Sequence, residues 1–453
     1  MDRRGLLVGG AALAAWAGLA RGEAADDLRG AAREGWLYAL PLIEAARLRA
    51  ALPAAVNAFV HLDAEAAARR LGAPEADVLY SVAFINVPNG GVATLTLPPS
   101  PGRYLSVAVL DMYGNVLKVL GGGATGSGGG AFRILGPPSR VGMGDYTVPQ
   151  PRLPPMHKMI QTPGPWVWTL ARVQVRGDDD LTLAQATQSG LSLTVKPREG
   201  APPPRPAPAV APDAPWGDYF YAAQRLIDED APPPYEAGFF RRIAPLQLGM
   251  DGGFEQARFA DTDISHILEG VADARTLAGD PRVSGVASND WLWPKPKLGV
   301  YGQDFLYRAQ SARVELGAMP PAETFVARAL APDGALSFAS DGYYRVTLPG
   351  PPPCDGFWSL SLYAVAENGA LTAPQTRRRA VGSHTPGLSQ RPDGGLDIWI
   401  GRPDPGGDHA TNWLQAPDNG RFALLLRAYL PADGLLAGKY VLAPAARLDT
   451  PQG

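Results

Sequence analysis

The chain has 453 residues, of which 53 are Gly and 46 are Pro, more than a fifth of the total. Usual usage is about 7% Gly and about 5% Pro, so the excess of turn-formers excludes a long helical bundle or coiled coil. Lys plus Arg is 41 and Asp plus Glu is 44, a formal charge of −3 that supplies no basic field for nucleic acid or an anionic membrane.

A hydrophobic content of 46% with 10 Trp is enough for a sizeable core, and the remaining expectation is a globular chain of short strands and turns. At about 150 residues per domain, two or three domains are expected. Cys354 is the single cysteine, which rules out an intramolecular disulfide and a redox cysteine pair.

Residues 1–24 open on Met1-Asp2-Arg3-Arg4-Gly5, run through apolar residues to Ala20, and offer small-residue exits after Ala20 or Ala24. That is the pattern of a signal peptide, and the adjacent arginines suggest the twin-arginine route. Gly5 to Ala20 is 16 residues, short of the roughly 20 needed to span a bilayer. The expectation is a periplasmic or secreted protein with no further membrane span.

Leu28 to Ala50 reads as a helix that Pro41 should kink or divide. From Val78 the pattern turns to strands: Val78–Val87, Val92–Leu97, Arg103–Leu110, Asn115–Leu120, Ala131–Leu135 and Trp166–Val175, each bounded by Pro, Gly or Asn. Along Tyr104–Leu110 both alternating sets are largely apolar, which suggests a strand buried between two layers. Residues 201–216 hold seven prolines and read as an extended linker.

Helices are then expected over Tyr219–Asp228, Glu236–Leu246, Phe254–Leu277 and Gln303–Leu316. Strands return at Tyr343–Leu348, Phe357–Ala364, Leu396–Ile400, Arg421–Ala428 and Tyr440–Ala443. The resulting division is a β-rich domain over 27–200, the linker, a helical segment over 217–330 and a second β-rich domain over 331–447. No regular repeat of 20–50 residues is visible. The fold class expected is α+β, predominantly β, with two β-sandwich-like domains and a helical insert between them.

Catalytic motifs are scarce. There is no G-x-S-x-G elbow and no Walker A pair. The five histidines (His61, His157, His266, His384 and His409) are scattered. Gly121–Gly126 formally fits G-x-G-x-x-G, but more glycine and then a strand follow it, whereas a dinucleotide loop must open a helix. Cys354 has no histidine nearby in sequence and reads as an apolar filler. His61 reads as a hydrogen-bonding structural residue, Asp178-Asp179-Asp180 as a solvated turn, and Asp404-Pro-Gly-Gly-Asp408 lacks the ligand count of a calcium loop. No cofactor or metal is expected.

Several segments nevertheless resemble a known pair of bacterial families. Tyr38-Ala-Leu-Pro41, Asn57-Ala-Phe-Val-His61, Asp77-Val-Leu-Tyr80-Ser81, Gly102-Arg103-Tyr104 and Asp111-Met-Tyr113-Gly-Asn115 resemble the domain-of-unknown-function family numbered 1254. Tyr301-Gly302-Gln-Asp304 to Arg308-Ala309, Gly356-Phe357-Trp358, Asp393 to Asp397, Asn412-Trp413-Leu414 and Arg427-Ala-Tyr429 resemble the family numbered 1214. The resemblance implies an exported protein with two β-rich domains and no assigned reaction. In the first family the tyrosine motif is approximately P-N-x-D-T-L-Y-S. Here Glu75 stands at the amide position, Val78 at the hydroxyl position, and Asn86 where an acidic residue follows. Gln415 replaces the usual Pro after Leu414.

These residues suggest a polar-aromatic cleft holding a small organic or carbohydrate-like ligand, with Tyr80, Ser81, Arg103, Tyr113, Trp358, Asn412 and Trp413 as binding candidates. The alternative is a hydrolase with Asp77 or Asp111 as general base and Tyr80 or Arg103 stabilising an anion. A further alternative is an assembly module of the cell envelope with its Trp residues at an interface. Each residue also has a purely structural reading, as a buried hydrogen-bonding or core group.

Overall fold

A computed structural model describes residues 3–137, 158–196 and 203–450 apart from positions 72, 89, 251, 284 and 368, with side chains from Asp27 onward except at 64 and 234. Met1, Asp2, His157 and the start of the proline-rich strip lie outside the described residues.

The chain opens with one helix, α1 (Arg3–Ala51). Pro41 lies inside it without dividing it, so of the kink or break expected there the break does not form. Removing one N–H costs one helical hydrogen bond. Here that loss is offset by burial on every side, since Trp36, Tyr38, Leu40, Leu42 and Ile43 are all 0% exposed.

The first sandwich follows. One sheet has the order β1 (Val60–Leu62), β2 (Val78–Asn86), β8 (Trp166–Gln174), β4 (Leu105–Asp111) and β5 (Val116–Gly121), all antiparallel. The other has the order β7 (Met159–Gln161), β6 (Gly130–Leu135), β3 (Val92–Leu97) and β9 (Ser192–Lys196). Alternation divides β2 between two cores. Leu79 and Ile85 pack between the sheets, while Tyr80, Val82 and Phe84 face α1. β4 is buried along its whole length, as its two apolar faces require. The short helices α2 (Ala64–Arg70), α3 (Gly122–Thr125) and α4 (Leu181–Ser189) fill connections. The glycine run thus ends β5, makes a single turn and starts β6, with no dinucleotide-binding helix.

Beyond it stand α5 (Trp216–Glu229), α6 (Ala237–Arg242) and α7 (Asp261–Gly279). They do not form a separate layer, because α1 shares their core. Trp36 stacks on Tyr219 with ring centroids 5.3 Å apart, and the Tyr219 hydroxyl donates to the Trp36 carbonyl at 2.9 Å. α1 and α7 cross closely at Gly270, where a Cβ would stand 2.2 Å from the Arg29 carbonyl oxygen. The proline-rich strip is packed rather than free. Ala207, Ala209 and Val210 lie against this core, and the Ala207 amide donates to Glu229 at 3.2 Å.

The stretch expected to be helical up to residue 330 also contains β10 (Gly285–Ser288), β11 (Trp291–Pro294), α8 (Phe305–Val314) and β12 (Thr324–Ala329). β10 and β11 form a hairpin whose turn residues Asn289 and Asp290 have φ of 49° and 57°, a conformation these two residue types tolerate. These strands belong to the larger sheet of the second sandwich, β10-β11-β12-β20-β15-β16, where β15 is Trp358–Val365, β16 is Leu371–Thr372 and β20 is Arg421–Tyr429. β13 (Phe338–Ala339) pairs with β20, and β17 (Ala380–Gly382) with β15.

The opposing sheet is β19 (Trp413–Gln415), β18 (Leu396–Gly401), β14 (Tyr343–Leu348) and β21 (Ala446–Leu448). No strand forms at Tyr440–Ala443. The Lys439 and Tyr440 amides both turn back to the Gly434 carbonyl after α9 (Asp433–Leu436), and pairing resumes only at Ala446. The whole is α+β, with two β-sandwiches and helices between them. The outer face of β15 and β20 (Tyr363, Ala423, Leu425) packs on Ala73 of the first half, which makes the seam between the halves.

Candidate functional site

The structure distributes the sequence-predicted residues over four places. Asp111 ends β4 fully buried, and its two carboxylate oxygens accept from the Asn115 amide at 2.8 Å and Asn115 Nδ2 at 2.9 Å, closing the β4–β5 turn. Burial pushes its pKa up to about 6 against those hydrogen bonds. Tyr113 donates to the Asp230 carbonyl at 2.7 Å, and the Arg308 guanidinium lies 5.4 Å from its ring. Arg308 in turn faces Glu236 at 3.3 Å, and Tyr38 donates to the same carboxylate at 2.5 Å. Both members of that ion pair have 0% side-chain exposure.

Tyr80 and Asp77 gather around Glu75 instead. The Glu75 amide donates to the Tyr80 hydroxyl at 2.9 Å. Burial, then the Glu75 charge, push the half-buried Asp77 up to about 7 while Arg379 opposes them. Ser81 lies opposite His61 across β1–β2, its hydroxyl 2.8 Å from Nδ1, with Gln188 Nε2 donating to the same oxygen at 3.2 Å. This contact has the separation of a nucleophile–base pair, but Ser81 is 0% exposed. A sealed hydroxyl cannot meet a substrate carbonyl, so the pair reads as a cross-strand bond.

Trp358, Asn412 and Trp413 lie in the second sandwich, apart from the others. Trp358 faces its core. Asn412 Nδ2 donates to the Ser389 and Asp397 carbonyls at 2.7 and 3.0 Å, and Trp413 Nε1 to Gly401 at 2.9 Å. The side-chain N–H groups of Asn412 and Trp413 are thus engaged in holding loops and strands. Cys354 is half-buried, and burial pushes its thiol up to about 11, which suppresses the thiolate. Asp404 caps its own turn by accepting from the Gly406 amide at 2.8 Å.

Arg103 is different, because it borders an open space. Its guanidinium grips Asp180 through two bonds of 2.6 and 2.5 Å and also donates to the Gln174 carbonyl at 2.6 Å. Arg103, Tyr104, Gln174, Ser100 and Ser127 of the first sandwich line a seam cleft of about 270 Å3 whose far wall is Asp355-Gly356 of the second. Behind that wall Gln174 Oε1 accepts from the Tyr104 amide at 3.1 Å, and its Nε2 lies 2.7 Å from His384 Nε2. Burial and Arg176 hold the His384 pKa below its usual value, consistent with a neutral ring accepting that bond.

Glu323 ties the floor together, accepting from Tyr104 at 2.8 Å and the Gly123 amide at 3.2 Å. Gly122, at φ 49°, is needed there, since a Cβ would fall 1.8 Å from Glu323 Oε1. Phe357 and Tyr429 stack at 4.1 Å, and Tyr104 of the cleft lining packs edge-on against them at 6.0 and 5.0 Å. Gln174, Glu323, Asp355 and His384 were not identifiable beforehand. None carries a motif; Gln174 and Asp355 line the cleft from opposite halves, and Glu323 and His384 join it through bonds to Tyr104, Gly123 and Gln174.

Comparison with known proteins agrees with this two-part architecture. Residues 56–195 match the family described as a protein of unknown function (DUF1254), and residues 326–433 the family described as a protein of unknown function (DUF1214). No curated protein matches the chain. A crystal structure of a protein from Vibrio parahaemolyticus is similar over 93% of this chain and 100% of its own, with a TM-score of 0.62 and 16% identity, a likeness of fold. A crystal structure of an uncharacterised protein from Burkholderia cenocepacia covers 96% of this chain and 97% of its own, at 14% identity and a TM-score of 0.47. Among the described residues, no helix is long and apolar enough to cross a membrane.

Proposed function

We propose that this chain, a DUF1254 domain followed by a DUF1214 domain, is an exported binding protein that holds a small, uncharged polar ligand in the seam cleft. The observation that carries the reading is the cleft itself: both domains contribute a wall, as ligand sites at domain junctions do. Its arginine is neutralised by Asp180, and Asp355 stands as an exposed carboxylate on the far wall. What remains for a ligand is hydroxyl, amide and carboxylate hydrogen bonding beside Tyr104, which suits a polyol or a monosaccharide. Export rests on the arginine pair and apolar run of residues 1–24.

A hydrolase is supported less well. Asp77, with its pKa near neutrality, has the affinity of a general base, yet it borders Glu75 and Arg379 rather than this cleft. The test is a thermal-shift panel of monosaccharides and inositols on the mature protein, with Asp355→Ala as the cleft variant. A saturable shift in the native protein that the variant loses supports the reading. Equal shifts in both, or turnover of a ligand ester, would replace it.

A further inference from the structure

A second space, about 770 Å3, opens on the other side of the helices, where α1, α2, the proline-rich strip, α7, α8 and the second sandwich meet. Its lining is unlike that of any surface expected of a chain with a formal charge of −3. Six arginines border it: Arg47, Arg69, Arg70, Arg275, Arg313 and Arg328. Only three carboxylates share it, those of Glu44, Glu65 and Asp213.

Two of these carboxylates are already taken. Arg47 pairs with Glu44 at 2.7 Å, one turn away on α1, and Arg69 pairs with Glu65 along α2. The other guanidiniums are held in place by neutral groups. Arg70 donates to the Ala51 carbonyl at 2.7 Å, Arg275 to the Pro212 and Ala214 carbonyls at 3.3 and 3.0 Å, and Arg328 to the Leu336 carbonyl at 2.7 Å. Carbonyl oxygens orient a guanidinium but do not cancel its charge. Nε of both Arg70 and Arg275 is buried without a hydrogen-bond partner among the described residues. Burial pushes Arg328 down to about 10, the mark of a cation lacking a counter-charge. Arg313 is exposed on α8 and faces Glu44 without an ion pair among the described residues.

Six arginines against three carboxylates leave an excess of three positive charges in one recess, which would repel one another unless screened. Keeping them there serves a ligand that brings the missing negative charge. We propose that this groove binds a small organic molecule carrying at least two oxyanion groups, carboxylate or phosphate. Planar guanidiniums grip both kinds through paired N–H donors. A free small molecule is favoured over a lipid bilayer, because the arginines come from five separate elements, α1, α2, α7, α8 and β12, that wall the recess rather than from one flat face.

The experiment is titration calorimetry of the mature protein at low salt with citrate and, separately, with pyrophosphate. Saturable binding of either probe is expected, weakened about tenfold or more by Arg313→Glu and by Arg70→Gln, and weakened again by added salt. Arg447→Glu, on the exposed β21 edge outside the groove, should leave it unchanged. Which probe binds identifies the oxyanion. Failure of both probes to saturate by about 5 mM, or equal affinity in folded Arg313→Glu and Arg70→Gln, overturns the proposal. Flotation with phosphatidylglycerol vesicles in the absence of citrate and pyrophosphate binding overturns it too, by assigning the arginines to a membrane. Asp355→Ala in the seam cleft should not alter binding here, so this site and the seam site stand or fall separately.

Discussion

Glu75, from the loop before β2, lies 3.8 Å from Arg427 of β20, and neither side chain is more than 2% exposed. The pair joins the two halves of the chain across 352 residues of sequence. Ser359 Oγ donates to Glu75 at 2.6 Å and Ser361 Oγ at 3.2 Å, while Arg427 donates to the Ala73 carbonyl at 2.7 Å. A carboxylate at this position, where the family pattern has an amide, is therefore the counter-charge of a buried arginine.

Removing one member of such a pair strands the other, at a typical cost of about 3–5 kcal/mol. Glu75→Ala should lower stability by that order in chemical denaturation. Replacing both, as Glu75→Leu with Arg427→Met, should recover most of the loss, because the buried charge leaves with its partner.

Asp230 gives the stability an unusual pH dependence. Burial pushes its carboxyl up to about 8, helped by the Asp111 charge and opposed by the Trp166 amide bond. Asp111 itself stands at about 6. Unfolded aspartate titrates near 3.9, so between about pH 4 and pH 8 the folded state retains protons that the unfolded chain has lost. Stability should then fall as pH rises through that window and level off above it. Asp230→Asn should flatten the decline and raise the melting temperature at pH 8 more than at pH 5.

Cys354, with its thiol pushed up to about 11, should react slowly with iodoacetamide at pH 7.5 in the native protein. Reaction should accelerate strongly on unfolding, and a colorimetric thiol count over time reads both.

Much of the fold was legible because it depends on local pattern. The two apolar faces of Leu105–Asp111 forced a doubly covered strand, and such a strand was found. Where long-range packing decides, local pattern failed. Pro41 argues for a break, yet burial around Trp36, Tyr38 and Leu40 holds α1 continuous. Gly285–Ser288 and Thr324–Ala329 form strands because β11 and β20 offer them edges, a fact that lies outside their own residues.

The sites were less legible still. Aromatic and amide motif residues such as Tyr113, Asn412 and Trp413 look the same in sequence whether they meet a ligand or make bonds to backbone carbonyls, as they do here. Net charge misled in the same way, since a total of −3 conceals six arginines brought to one groove. Of the residues proposed from sequence as binding or catalytic candidates, Arg103 alone lines the seam cleft.

The most direct test of the binding account is a crystal structure of the protein soaked with whichever monosaccharide or inositol gives the largest thermal shift. The account predicts the ligand between Tyr104 and Asp355, bonded to that carboxylate, with the Arg103–Asp180 pair intact. A ligand seated elsewhere, or a seam cleft filled by ordered water alone at saturating ligand, would contradict it.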